Sequence, residues 1–382
     1  MSSLDTLLTE VGPILSGSGK ESFTHPSFRE VLTARQFADE INSGRLSIKS
    51  AAHFWLYDPM WDAMAAQDNS GYCDDLPYGC YFEPKGLRSE WRPALAHLAG
   101  MLSEDDAREF VDVVGEFHKG DISGIRSEPS IHGRSVVLED FALCAKFIGR
   151  YQTSVAPEGN EKQIINALLS VAEDYTDERE RAHVYRRAEI AANALALTKS
   201  SYAARELVDY VIWCEKVPDL GYPIDDARMT SSSVAYGTVI KLANSGVEVE
   251  DCLLSHLQKG RYGNCRSILS LLSALGKQKT LETLIRNMPD EHSVVSAPYN
   301  NTERYLNAIF SLFEKYEFNP DLIKTFNEQI SEISDGKFMH QYHETLERFA
   351  YEMINDRQVE LYELLEKNKM QFWDYWMVYK PK

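Results

Sequence analysis

Phe23-Thr24-His25-Pro26-Ser27-Phe28-Arg29-Glu30-Val31-Leu32-Thr33-Ala34-Arg35-Gln36-Phe37-Ala38 reads as a short extended run that turns into an amphipathic helix. Pro26 suits the first helical turn, where its fixed φ fits and its missing N–H costs nothing. Phe28, Val31, Leu32, Ala34, Phe37, Ala38 and Ile41 recur at helical spacing, while Arg29, Glu30, Arg35, Asp39 and Glu40 take much of the opposite side. Gly44 supplies the stop.

Outward from this helix the chain keeps the same period. Ala51-Ala52-His53-Phe54-Trp55-Leu56 is an apolar segment broken near Pro59, and Asp68 to Ser89 is a loop rich in Gly, Pro, Asp and aromatics. Helical stretches follow at Trp91–Leu102 and Glu104–His118. Gly120, Gly124, Pro129 and Gly133 then interrupt any periodicity, which places the main boundary there. Beyond it the pattern predicts helices over Leu138–Tyr151, Glu161–Asp174, Glu178–Lys199, Ser201–Glu215, Ser231–Asn244, Glu250–Gln258, Asn264–Leu275 and Gln278–Met288. Four more are predicted at Thr302–Tyr316, Pro320–Ser334, Lys337–Asn355 and Arg357–Trp376, with no strand alternation anywhere in this part. Paired amphipathic helices joined by short breakers point to an all-α fold, an irregular α-solenoid in which each pair buries its apolar face by stacking on neighbours.

The opening stretch also resembles the motif that closes the winged-helix part of NACHT-type STAND ATPases. There an aromatic, a His, a Ser/Thr, an apolar residue, Gln-Glu, an aromatic and paired Ala lead into the sensor arm. Here Arg29 stands for the usual Gln, Val31 for an aromatic and Thr33 for an Ala. Leu7-Leu8 to Ile14-Leu15 resembles the preceding leucine-rich run of that winged helix, and Trp91 to Leu102 resembles the Trp-anchored helix that follows. The resemblance implies a winged-helix-like remnant at 1–47, a helical connector with an aromatic loop at 48–133 and a sensor-like α-solenoid at 134–382. It implies a recognition arm that binds a protein trigger or signalling partner and lacks the NTPase module itself. A free-standing helical scaffold or adaptor for protein–protein interaction is the alternative. The family's His near the bound nucleotide falls on His25, a cofactor contact only where a separate NTPase module is present.

The chain has 382 residues and a formal net charge of −18, which argues against a general nucleic-acid binder because phosphate contacts need clustered Lys and Arg. Six cysteines, Cys73, Cys80, Cys144, Cys214, Cys252 and Cys265, are scattered, and most lie in apolar helical runs, as reduced thiols do. No basic region followed by an apolar core opens the chain, and no apolar run reaches a membrane span, so a cytoplasmic protein without a membrane partner is expected.

Candidates for chemistry are few. Ser16-Gly17-Ser18-Gly19-Lys20 has Ile14 where a phosphate loop needs its first glycine and Glu21 where it needs Ser or Thr, so it reads as a turn. Cys73 and Cys80, with six residues between them and no second pair, do not make a structural zinc motif. His340 and His343 share a helix face with Glu344 and Glu347 nearby, an arrangement that helical surfaces often collect by chance. Asp105-Asp106, Asp177-Glu178 and Asp225-Asp226 read as acids at helix starts rather than catalytic pairs. Arg179, Arg186 and Arg187 lie in a run of mixed charge that pairs at i to i+4. No catalytic residue, metal site or cofactor is assigned, and the chain is not read as an enzyme. The aromatic run Met370 to Tyr379 reads as a cap on the last repeat. Partner anchors are sought among Tyr185, Arg186, Tyr202, Arg205, Tyr210 and Trp213, aromatics beside arginines. Tyr210 and Trp213 are expected to fill the core, which leaves Tyr185, Arg186 and Arg205 as the partner-binding residues.

Overall fold

The computed structural model describes residues 26–58, 85–120, 136–151, 156–173, 181–216, 224–259, 266–288, 300–316 and part of 321–329. Among them the fold is all-α, of the helical-repeat kind, with one two-stranded sheet. The predicted elements before Pro26, in the loop that follows Asp58, at 121–135 and after Gln329 lie outside the described residues.

The chain divides into two compact units, 1–207 with 220–247, and 208–219 with 248–382. In the first unit, α1 (Pro26–Asn42) begins at its proline as expected. It stops at Gly44, whose φ of 73° lets the Arg45 and Leu46 N–H groups turn back onto the Glu40 carbonyl at 3.0 and 3.2 Å. α2 (Ile48–Trp55) starts on Ser47, whose hydroxyl accepts from the Ser50 N–H at 3.1 Å. β1 (Leu56–Tyr57) then pairs antiparallel with β2 (Gly86–Leu87). α3 (Arg92–Leu98) is shorter than the predicted Trp91–Leu102, because Gly100 and Met101 close it with tight turns onto His97 and Leu98. α4 (Glu104–Phe117) is capped by Ser103, which accepts from the Asp106 N–H at 3.2 Å, with Glu104, Asp105 and Asp106 in the first turn.

α5 (Val136–Tyr151), α6 (Gly159–Ala172), α7 (Arg181–Thr198) and α9 (Ile224–Asn244) complete this unit together with the first part of α8 (Ser201–Lys216). α4 packs on α5 and α6, α5 on α6 and α7, and α7 on α6 and α9. Helices that each meet the next and the next but one share a continuous core, which is how repeat proteins bury surface that one pair cannot. α4 and α5, on either side of the expected boundary at Gly120–Gly133, pack directly on each other. At Gly149 of α5 an added Cβ would collide with the Leu197 carbonyl of α7, so only glycine permits that crossing.

The core of the first unit is a chain of rings. Phe37 meets Trp55 at 5.4 Å and Trp91 at 5.6 Å, both edge-on. Trp55 meets Phe110 at 5.8 Å, and Phe110 stacks on Phe147 at 3.9 Å. Trp55, Phe110 and Phe147 are at most 1% exposed. Burying each side chain of this size contributes about 1.5–3 kcal/mol.

The second unit contains the rest of α8 with α10 (Glu250–Lys259), α11 (Arg266–Leu275), α12 (Gln278–Arg286) and α13 (Asn300–Lys315). The Glu215 carboxylate caps the start of α11, accepting from the Ser267 N–H and hydroxyl at 2.9 and 2.6 Å. His256 of α10 pairs with Asp209 at 2.7 Å. Tyr305 of α13 donates to the Leu284 and Asn287 carbonyls at 2.8 and 3.0 Å, tying it to the end of α12. Phe310, Phe313 and Phe326 form the aromatic core beside it.

Candidate functional site

The residues singled out as cofactor contact and partner anchors are only partly within the described set. His25 and the side chains of Tyr185 and Arg186 lie outside it; the backbone of the latter two is in α7. Arg205 is exposed on α8, one turn from Tyr202, whose hydroxyl donates to Asn166 of α6 at 2.9 Å. Tyr210 is buried as expected, at 8% exposed. Trp213 is not a core residue, for it stays 43% exposed and stacks on Tyr210 with centroids 5.9 Å apart. The reason is phase: Leu207, Val208, Val211, Ile212 and Cys214 turn inward along α8, and positions 209 and 213 turn out.

Cys144 and Cys214 are buried thiols and Cys252 is partly buried, as the sequence implied, and burial pushes the Cys144 thiol well above its ordinary range. Cys73, Cys80, Cys265 and the His340/His343 cluster lie outside the described residues. Arg187 is half-buried, and Asp225 and Asp226 fall in the first turn of α9. Among the described residues no helix is long and apolar enough to cross a membrane, and no cluster of three potential ligands could hold a metal ion.

Two features of the first unit were not singled out from the sequence. One is a buried polar node. Asp140 and His118 have fully buried side chains. The Asp140 carboxylate accepts from the Leu87 N–H at 2.7 Å, from Arg92 at 2.7 Å and from His118 Nε2 at 2.9 Å. Arg92 also reaches Glu139. Gly86 lies flat against this group: a Cβ there would sit 2.7 Å from the Asp140 carboxylate and collide with Val136. One side chain of α5 thereby holds β2, the start of α3 and the end of α4. The signal in the sequence was an acid inside the apolar run Val136-Val137-Leu138-Glu139-Asp140-Phe141, at a position the helical period sends to the core.

The other feature is a cleft of about 670 Å³ between α2, α4 and the start of α6. Ala52 of α2, Leu56 of β1, and Val113 and Phe117 of α4 provide its apolar surface. Asp105, Glu109, Asp112 and Glu116 line it from α4, at the i, i+4, i+7, i+11 spacing of one helix face. Lys49, His53, Arg108 and Asn160 complete the lining. Lys49 is 3.9 Å from Glu109, and both are substantially exposed. Asn160 donates to Asp112, to its backbone carbonyl and its carboxylate, each at 3.3 Å. Gly115 makes this possible, since a Cβ there would come within 2.7 Å of the Asn160 side chain.

Behind the cleft Arg108 stacks over the Tyr151 ring, 4.3 Å from its centroid. Burial and the neighbouring Glu161 both push the Tyr151 phenol upward. Burial likewise holds Glu161 above its ordinary 4.5, opposed by Arg108 and reinforced by Asp112. A carboxyl raised on folding stabilises fully below its unfolded value, and that contribution is lost as pH climbs through the folded one. Glu161→Gln is therefore expected to raise the melting temperature at neutral pH and to flatten its fall as pH rises above the ordinary carboxylate range. Melts of both proteins across that range check the sign.

Neither protein-family models nor curated proteins nor solved structures give a match to this chain. The geometry is a groove between helices with an apolar floor and a one-sided row of charge.

Proposed function

We propose that the chain is a helical-repeat recognition arm that binds a protein partner. The observation that carries this reading is the cleft between α2 and α4, whose size and mixed lining suit an inserted segment of another protein. In its fuller form the arm is the sensor of a STAND-type, NACHT-like signalling or defence ATPase, with the NTPase supplied separately and a protein trigger as ligand. That form rests on the Phe23 to Ala38 stretch, and the helix starting at Pro26 and stopping at Gly44 is in keeping with it. A cytoplasmic setting belongs to the same proposal, supported by thiols at Cys144, Cys214 and Cys252. A free-standing adaptor shares the recognition role without the ATPase.

The test is affinity capture with the full chain as bait, from resting and from infected cells. A captured protein that recurs across replicates supports the arm. Co-capture of a protein carrying Walker motifs supports the sensor form, and its consistent absence favours the adaptor. Arg186→Glu with Arg205→Glu is expected to leave the melting temperature nearly unchanged and to weaken capture, if the arginines of α7 and α8 belong to the recognition face. Recovery of no specific partner under either condition overturns the proposal.

A further inference from the structure

We infer that the cleft between α2 and α4 takes a basic amphipathic helix from the partner, an inference that rests on the recognition role and names its ligand. The groove runs between two helices, and its two walls differ. One wall, α2 with the first residue of β1, presents Ala52 and Leu56 with Lys49 and His53, whereas α4 presents Arg108 and a row of four carboxylates. From Asp105 to Glu116 that row spans about 16 Å at 1.5 Å per residue, three turns of a facing helix. A helix with Lys or Arg at i, i+4, i+7 and i+11 places a cation opposite each carboxylate. Apolar residues on its adjoining stripe then lie over Val113 and Phe117.

Four carboxylates face two full cations in the lining. The ion pairs they make among the described residues are weak ones: Lys49 stands 3.9 Å from Glu109, and Glu116 meets the exposed Lys119 at 3.2 Å. An incoming cation displaces such partners at little cost. Phe117 already accepts a cation on its ring, with the Lys85 ammonium 4.9 Å from the centroid. The chain's charge of −18 adds long-range attraction for a basic partner. Attraction alone does not localise it; the apolar floor does.

The probe is a fluorescein-labelled helical peptide of Leu, Lys and Ala, with Lys at the four matching positions and Leu on the adjoining stripe. Two controls accompany it, one with Glu in place of Lys and one of scrambled order. Fluorescence anisotropy with the full chain is expected to give micromolar binding of the first peptide alone. Glu109→Gln with Glu116→Gln is expected to weaken it at least tenfold, and Val113→Ser severalfold. The charge-matched pair Glu189→Gln with Asp39→Asn, both exposed in the first unit and outside the lining of the cleft, is expected to leave it unchanged. Melts of each variant separate lost binding from lost fold. Equal binding of the scrambled peptide, equal weakening by the control pair, or no binding of the first peptide overturns the inference. Failure here together with successful affinity capture means that the partner is recognised elsewhere on the arm, so the two proposals fall separately.

Discussion

Asp140→Ala is expected to lower the stability of the first unit by about 3–5 kcal/mol, the cost of breaking a buried ion pair from one side. The substitution leaves the Leu87 N–H, the buried His118 ring and the Arg92 guanidinium without their common acceptor. For a unit of this size the melting temperature should fall by roughly 6–20 °C. Asp140→Asn keeps the shape and one carbonyl acceptor, so its loss should lie between wild type and Ala. Thermal and urea melts of the three proteins give the ranking. A loss below about 1 kcal/mol for the Ala variant would show that the node contributes little.

Phe110→Ala is the second large effect, expected to cost about 3–5 kcal/mol through lost burial and the cavity left behind. Phe110 is 1% exposed and lies between Trp55 of α2 and Phe147 of α5. Its contact with Trp55 joins α4 to α2, the two helices that flank the cleft. The same variant should therefore weaken binding of the basic peptide even at temperatures where it remains folded. Full peptide affinity in a destabilised Phe110→Ala protein would separate the cleft from this part of the core.

Local signals in the sequence marked most helices within a turn of their ends. Pro26 and Gly44 bracketed α1, and Asp105-Asp106, read as acids at a helix start, marked the beginning of α4. α9 starts at Ile224, well before the expected Ser231. In the structure Ser231 and Ser232 are buried, and Ser231 donates to the Arg228 carbonyl at 3.1 Å, a bond that a helix interior accommodates. The cleft and the node were illegible for a different reason. The acid spacing on α4 was present in the sequence, but which helix would face it depends on contacts set by whole-chain packing. Asp140 likewise showed itself as misplaced without showing that Arg92 and His118 would meet it.

The route of the backbone through the two units bears on how the protein is made. The chain leaves the first unit inside α8, after Leu207, re-enters it at Leu220 and leaves it again after Val247. A ribosome therefore delivers Asp209 and Glu215 long before His256 and Ser267, their partners in the second unit, exist. The first unit, in turn, cannot close on α7 until α9 has emerged. The first unit is complete only once Val247 has emerged, and a cut after Val247 takes with it the strip 208–219 that the second unit needs. Truncations at Val247 should yield a product that nascent-chain quality control recognises as unfinished, with the second unit's strip of α8 left uncovered.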